Sequence, residues 1–255
     1  MDKILDLLEA KYQMYNTKRF IVTDPVSIPH RYERKEDIEI SGLLTALISW
    51  GNRKSILKSA DRLMSYLENE PFNFITTASV KEFRRFDHFV YRTFNGDDLL
   101  FMIYALRNIY LEEGGLEPVV LSSFNRDGTI KSAITGLRDA LLKTDHLKRS
   151  EKHLANPEKG SAAKRINMFL RWMVREDNSN VDFGIWKQIP TSALMCPLDI
   201  HSGNVARKLG LLSRKQNDWK AVEEITDNLR KFDKNDPVKY DFALFGMGVF
   251  EGLGK

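Results

Sequence analysis

The sequence predicts an all-α fold, and three observations carry that prediction. Apolar residues recur three and four positions apart through most of the 255-residue chain, the spacing of one helix face. Between these stretches stand the residues that start and stop helices: Asp218 or Asp236-Pro237 before them, Gly51, Gly114-Gly115 or Gly210 after them. Hairpin signals are scarce.

In order, Ile4, Leu5, Leu8, Tyr12 and Tyr15 mark the inward face of a first helix, and the segment from Arg19 to Arg34 is a long irregular connection. Ile40, Leu43, Leu44, Leu47 and Ile48 mark a second helix, stopped at Gly51. Further helices are expected from Ser55 to Glu68, from Asp97 to Glu113, and from Ile130 to Lys143. After a turn at Gly160, Ala163 to Val174 reads as a helix with Ile166, Phe169, Leu170 and Met173 inward. A second irregular stretch runs from Arg175 to Ser192. Pro197 suits the first turn of a helix reaching Leu209, closed by Gly210. Asp218 can cap a helix from Trp219 to Phe232, and Asp236-Pro237 opens the last one.

Composition narrows the class. No run of about twenty apolar residues offers a membrane span. The start Met1-Asp2-Lys3-Ile4-Leu5-Asp6 puts acids where a secretory signal needs a basic start. Cys196 is the one cysteine, which excludes an intrachain disulfide, a four-cysteine iron–sulfur cluster and a four-cysteine zinc site. The five histidines, His30, His88, His146, His153 and His201, lack ligand-like spacing. A cytoplasmic protein is the expectation. The net charge of +4 is unevenly placed: the 143–175 stretch holds nine Lys or Arg against three acids, a local +6. Such an excess fits a phosphate-facing surface or a solvated helix face.

The stretch Gly160-Ser161-Ala162-Ala163-Lys164-Arg165-Ile166-Asn167-Met168-Phe169-Leu170 resembles the hairpin of helix-hairpin-helix DNA glycosylases, which reads Gly-x-Gly-x-Lys-x-x-Asn-x-x-Leu in the endonuclease III branch. Leu198-Asp199-Ile200-His201, with Val205, Lys208, Leu209 and Gly210, is similar to that superfamily's Val-Asp-Thr-His segment. Over its whole length the chain looks closer to a bacterial family of uncharacterised proteins sharing this wording. Ala162 stands for the second hairpin glycine, Lys159 for a usual proline and Asn204 for a usual arginine, while 35 positions separate Lys164 from Asp199. The extra length falls in the polar stretch from Arg175 to Pro190, which can loop out.

The resemblance implies a helical barrel over residues 35–175 and a second lobe joining 1–34 with 176–255, the cleft between them bringing Lys164 and Asp199 together. It implies a DNA-repair N-glycosylase with abasic-site lyase activity on a damaged purine such as 8-oxoguanine, needing no cofactor. Its partner would be damaged duplex DNA. Lys159, Gly160, Ser161, Ala162 and Arg165 would grip phosphate, with backbone N–H groups at a helix start doing so without reading sequence. Lys164 would attack the sugar C1′ as a neutral amine, and Asp199 would promote that attack or stabilise the developing sugar cation. Asp241 and Phe245, four apart on the last helix, resemble the Asp-x-x-x-Trp pair of the archaeal 8-oxoguanine glycosylase branch, and Phe245 equally fits a core stripe with Phe242 and Val249. Trp50 and Asn52 could stack on a base or fill its gap, or could simply end a helix. A non-catalytic nucleic-acid-binding module, or an enzyme on modified RNA or a nucleoside, remains the alternative.

Overall fold

A computed structural model describes residues 2–254; Met1 and Lys255, which the expected terminal lobe includes, lie outside the described residues. The fold is all-α. Among the described residues the helices are α1 (Asp2–Tyr15), α2 (Lys18–Thr23), α3 (Lys35–Ile48), α4 (Arg53–Tyr66), α5 (Pro71–Thr77), α6 (Gly96–Glu112), α7 (Leu116–Phe124), α8 (Ile130–Leu142), α9 (Lys164–Val174), α10 (Ile200–Lys208), α11 (Trp219–Arg230) and α12 (Tyr240–Val249). A two-stranded antiparallel ribbon, β1 (Val90–Tyr91) and β2 (Phe94–Asn95), precedes α6.

Side-chain caps set five of the helix starts. Asn52 Oδ1 accepts from Ser55 N at the head of α4, Thr129 Oγ1 from Ser132 N at α8, and Asp218 Oδ1 from Ala221 N at α11. Asn95 with Asp98 at α6 and Asp199 with Ser202 at α10 form reciprocal capping boxes. The second of these corrects an expectation: Pro197 lies before α10, because Asp199 accepts from the third helical N–H and so fixes the start at Ile200. The Arg19–Arg34 connection is also less irregular than expected, holding α2 and two proline-led 3₁₀ turns at Pro25–Ser27 and Pro29–Arg31. α5 and α7 add helices where only the stops at Pro71 and Gly114-Gly115 were legible.

The chain divides into two compact units. One is Thr23–Ala155. Its centre is α3, buried from Ile38 to Ile48 without a polar face, so neighbouring helices must cover it on all sides. The other unit is Met1–Val22 with Asn156–Lys255. Its centre is α9, buried from Ile166 to Val174. α1 packs along α12 so closely that a Cβ on Gly246 would lie 2.1 Å from the Tyr15 ring.

This division sets the segment 156–175 apart from the expected 35–175 body, for a visible reason. Phe183 N and Trp186 N donate to Trp172 O and Met173 O, wrapping the polar stretch after α9 around that helix's own end. Arg171 on α9 and Arg175, the residue directly after it, are buried in ion pairs with Asp182, Asp236 and Asp241 of the same unit. Lys164 and Asp199 therefore belong to one unit.

Candidate active site at the start of two helices

The turn before α9 is held by Asn156, whose Oδ1 and backbone oxygen both accept from Lys159 N while the backbone oxygen also accepts from Ser161 N. Gly160 adopts φ +86°, and a Cβ there would meet nothing within 4 Å. The glycine is thus required by its left-handed backbone and not by crowding. Gly160 O accepts from Trp219 N at 3.0 Å and Ser161 pairs with Asp218, bracing the turn on the head of α11. The second left-handed residue is Ala163 (φ 48°), one position after Ala162. At Ala162, where the resembled hairpin has glycine, the carbonyl accepts from Asn167 Nδ2 at 3.1 Å.

Four amides of the turn are already spent within it. Lys159, Gly160 and Ser161 N–H donate to Asn156 or Pro157, and Ala163 N–H donates to Ser161 Oγ. Asn156 provides acceptors that close the turn on itself. What faces outward is the exposed Lys159 side chain, beside the amino end of α9. Arg165 is half-buried, and burial pushes its guanidinium down to about 10. Two other members of the basic stretch, Arg171 and Arg175, are interior and do not face a phosphate.

Lys164 is the first residue of α9 and Asp199 the cap of α10. Lys164 Nζ lies 3.5 Å from Asp199 Oδ2, with the two side chains 29% and 21% exposed, open to a solute yet partly desolvated. Asp199 Oδ1 accepts from Ser202 N at 2.9 Å, and Asp199 O accepts from Asn217 Nδ2 at 3.0 Å. Capping thus fixes one carboxylate oxygen and leaves the other toward the amine. An amine and a carboxylate at this distance can exchange a proton and then act separately, one as nucleophile and one as a charge partner.

Behind the pair lies an ionic layer that helical periodicity did not single out. Arg171, seven residues after Lys164 and so on the same face of α9, donates to Asp241 and places Nε 3.2 Å from Asp182 Oδ1. Its guanidinium stacks 4.2 Å over the Phe242 ring. Arg175 continues the layer to Asp182 at 2.9 Å and to Asp236. Removing one member of such a network costs about 3–5 kcal/mol, because its partner is left buried and uncompensated. A sequence signal existed in the i, i+4 arginines followed by Asp177 and Asp182. Burial raises the Asp241 carboxyl to about 6; Arg171 and Lys164 oppose this, while Asp199 and Asp182 add to it. Burial likewise pushes the Cys196 thiol up, which suits packing and not nucleophilic chemistry.

The expected base-contacting residues are divided between the two units. Asp241 is 7% exposed and engaged by Arg171. Phe245 is half-buried, edge-on to Phe20 and Phe250 at 6.3 and 6.4 Å, as a packing aromatic is. Trp50 and Asn52 belong to the Thr23–Ala155 unit. Trp50 stacks on His153 and meets Tyr91 edge-on, while Asn52 caps α4. His153 and Ser150 in turn bond the buried Asp98, a cluster sequence spacing did not suggest. Among the described residues no group of His, Cys, Asp and Glu could hold a metal ion. No helix among them is long and apolar enough to cross a membrane.

A family model described as a protein of unknown function, DUF2400, matches residues 24–250. No curated protein and no solved structure matches the chain.

Proposed function

The chain belongs to the DUF2400 family of proteins of unknown function, and from its site we propose a DNA-repair N-glycosylase with abasic-site lyase activity on a damaged purine such as 8-oxoguanine. One observation carries the reading: Lys164 Nζ stands 3.5 Å from Asp199 Oδ2 at the amino ends of two helices. The resemblance of the flanking segments to the helix-hairpin-helix glycosylases supports it, as does the exposed Lys159 beside them. Damaged duplex DNA is the proposed partner and the cytoplasm the proposed location.

In this reading Lys164 gives a proton to Asp199 and its neutral amine attacks C1′ of an extruded nucleotide. The base leaves with the electrons of the glycosidic bond and takes the proton from Asp199, whose regained carboxylate charge stabilises the positive charge on the sugar and the attacking nitrogen. Ring opening then gives a Schiff base between Nζ and C1′. Loss of a C2′ proton expels the 3′ phosphate and breaks the strand. Borohydride, which reduces the Schiff base to a stable amine, is the direct test. Wild type should be trapped on DNA carrying the right lesion, and Lys164→Gln should give no adduct while still binding DNA. Asp199→Asn should slow base release by about 10²–10³-fold. No adduct on any damaged oligonucleotide would favour the non-catalytic module, and an adduct on ribonucleotide substrates alone would favour modified RNA.

A further inference from the structure

We propose that Asn217 is a positioning residue for the Lys164–Asp199 pair: locked by Arg207, its side chain pins the backbone of Asp199, while the next two residues pin the turn that leads into Lys164. This deepens the function proposed above and rests on it. The two halves of the site come from α9 and α10, and the connection from α10 to α11 reaches both. Asn217 Nδ2 donates to Asp199 O at 3.0 Å. Asp218 pairs with Ser161 in an antiparallel bridge, and Trp219 N donates to Gly160 O at 3.0 Å. Three consecutive residues therefore hold the starts of both helices, and through them the 3.5 Å between Lys164 Nζ and Asp199 Oδ2.

Asn217 is itself fixed. Arg207 Nη2 donates to Asn217 Oδ1 at 2.6 Å and to Lys215 O at 2.9 Å, and Arg207 Nε donates to Arg214 O at 2.8 Å. With its oxygen on Arg207, the amide turns its nitrogen, the donor, to Asp199. Arg214 Nε in turn donates to Asp218 Oδ1 at 2.6 Å, and that oxygen caps α11. Room for the amide is made on α10, where a Cβ on Gly203 would stand 3.0 Å from Asn217 Oδ1 and 3.2 Å from Nδ2. Glycine is a poor residue inside a helix, and the close approach of Asn217 accounts for this one.

The bond is not needed to satisfy Asp199. Its carbonyl already accepts from Gly203 N at 2.9 Å as the first bond of α10, and its carboxylate accepts from Ser202 N. What Asn217 adds is a fixed direction for the peptide that carries the carboxylate, from a segment that also braces the Lys164 turn. A misplacement of about 1 Å between reacting groups costs on the order of 10²-fold in rate, so the brace acts on the chemical step and not on DNA binding.

A double-mutant cycle tests this, since a residue acting through Asp199 has nothing to position once that carboxylate is gone. Single-turnover borohydride trapping at saturating lesion DNA should slow about 10–100-fold in Asn217→Ala with DNA affinity retained. Added to Asp199→Asn, the same substitution should slow trapping no further. Equal fold losses in both backgrounds would make Asn217 merely structural and overturn the proposal. The second measurement needs no DNA: acetylation of Lys164 by a trace of N-hydroxysuccinimidyl acetate at about pH 8, normalised to Lys159 and read by mass spectrometry. Loosening or losing its carboxylate partner should speed labelling about two- to fivefold in Asn217→Ala and in Asp199→Asn, and the double variant should be no faster than Asp199→Asn. An unchanged Lys164 rate in Asn217→Ala overturns the proposal. If wild type traps nothing and the glycosylase reading itself fails, the labelling cycle decides alone. If Asn217→Ala does not fold, Asn217→Asp takes its place, keeping an acceptor for Arg207 but no N–H for Asp199. Its added charge alone would slow Lys164 labelling, so faster labelling supports the positioning role and slower or unchanged labelling overturns it.

Discussion

At the scale of single residues, Asp241 links the site to the stability of its unit. Its carboxyl is raised from 3.8 to about 6 by burial. A group with a raised folded value contributes stability that is complete below its unfolded value and lost as pH rises through the folded one. Acidification from pH 7 to 4 should therefore stabilise wild type relative to Asp241→Asn by up to about 3 kcal/mol, read from urea unfolding of both proteins. A difference that stays flat across that range would mean Asp241 is ionised throughout. Lys164 and Asp199 were legible in the sequence because each sits in a recognisable local segment, and the ion pair at 3.5 Å joins them. Arg171 and Asp182 were not, since a stripe of Ile166, Phe169, Leu170 and Met173 assigns the remaining positions of α9 to solvent. In the structure both Arg171 and Trp172 are interior. The Arg171–Arg175 spacing with Asp177 and Asp182 downstream hints at ion pairing, but only tertiary packing places the network in the interior.

At the scale of elements, the turn before α9 carries two left-handed residues of opposite character. Gly160 suits its φ of +86°, whereas Ala163 holds φ 48° with a Cβ. The left-handed region costs an L-residue roughly 1–2 kcal/mol, so Ala163→Gly should stabilise the protein by up to about 1 kcal/mol after the added chain entropy of glycine. Gly160→Ala should destabilise it by about 1 kcal/mol through φ alone, its Cβ having free space. Thermal melts of the two variants moving in opposite directions check this. Helix existence was readable where apolar spacing and a start or stop residue agreed, as in α3 with Gly51 after it and α11 with Asp218 before it. Boundaries were not: Pro197 offered a start that the Asp199–Ser202 capping box overrides. α7 escaped because Gly114-Gly115 reads as an end, yet Gly115 at φ 115° directly precedes the next helix.

At the scale of the molecule, charge should govern association with nucleic acid. If Lys159 faces phosphate, duplex affinity should fall linearly in log–log form with salt, and Lys159→Glu should reduce that slope by about one or more. Filter binding from low to high salt measures it, and affinity indifferent to both changes would remove DNA as the partner. All-α character was legible from period and caps; the division of the chain was not, because it depends on which helices α9 packs against. That division also has a consequence for synthesis. The unit Thr23–Ala155 is continuous, whereas the other is assembled from both sides of it. α1 ends at Tyr15 and its partner α12 begins at Tyr240, so at about 5–20 residues per second the ribosome needs roughly 11 to 45 seconds to deliver the surface that α1 covers. Until then the apolar side of α1 around Leu8 has no native cover, and Lys164 and Asp199 have no finished unit to hold them. A nascent chain stalled after Ala155 should carry one protease-resistant body preceded by a digestible amino-terminal helix, so that the chemistry of the site arrives last.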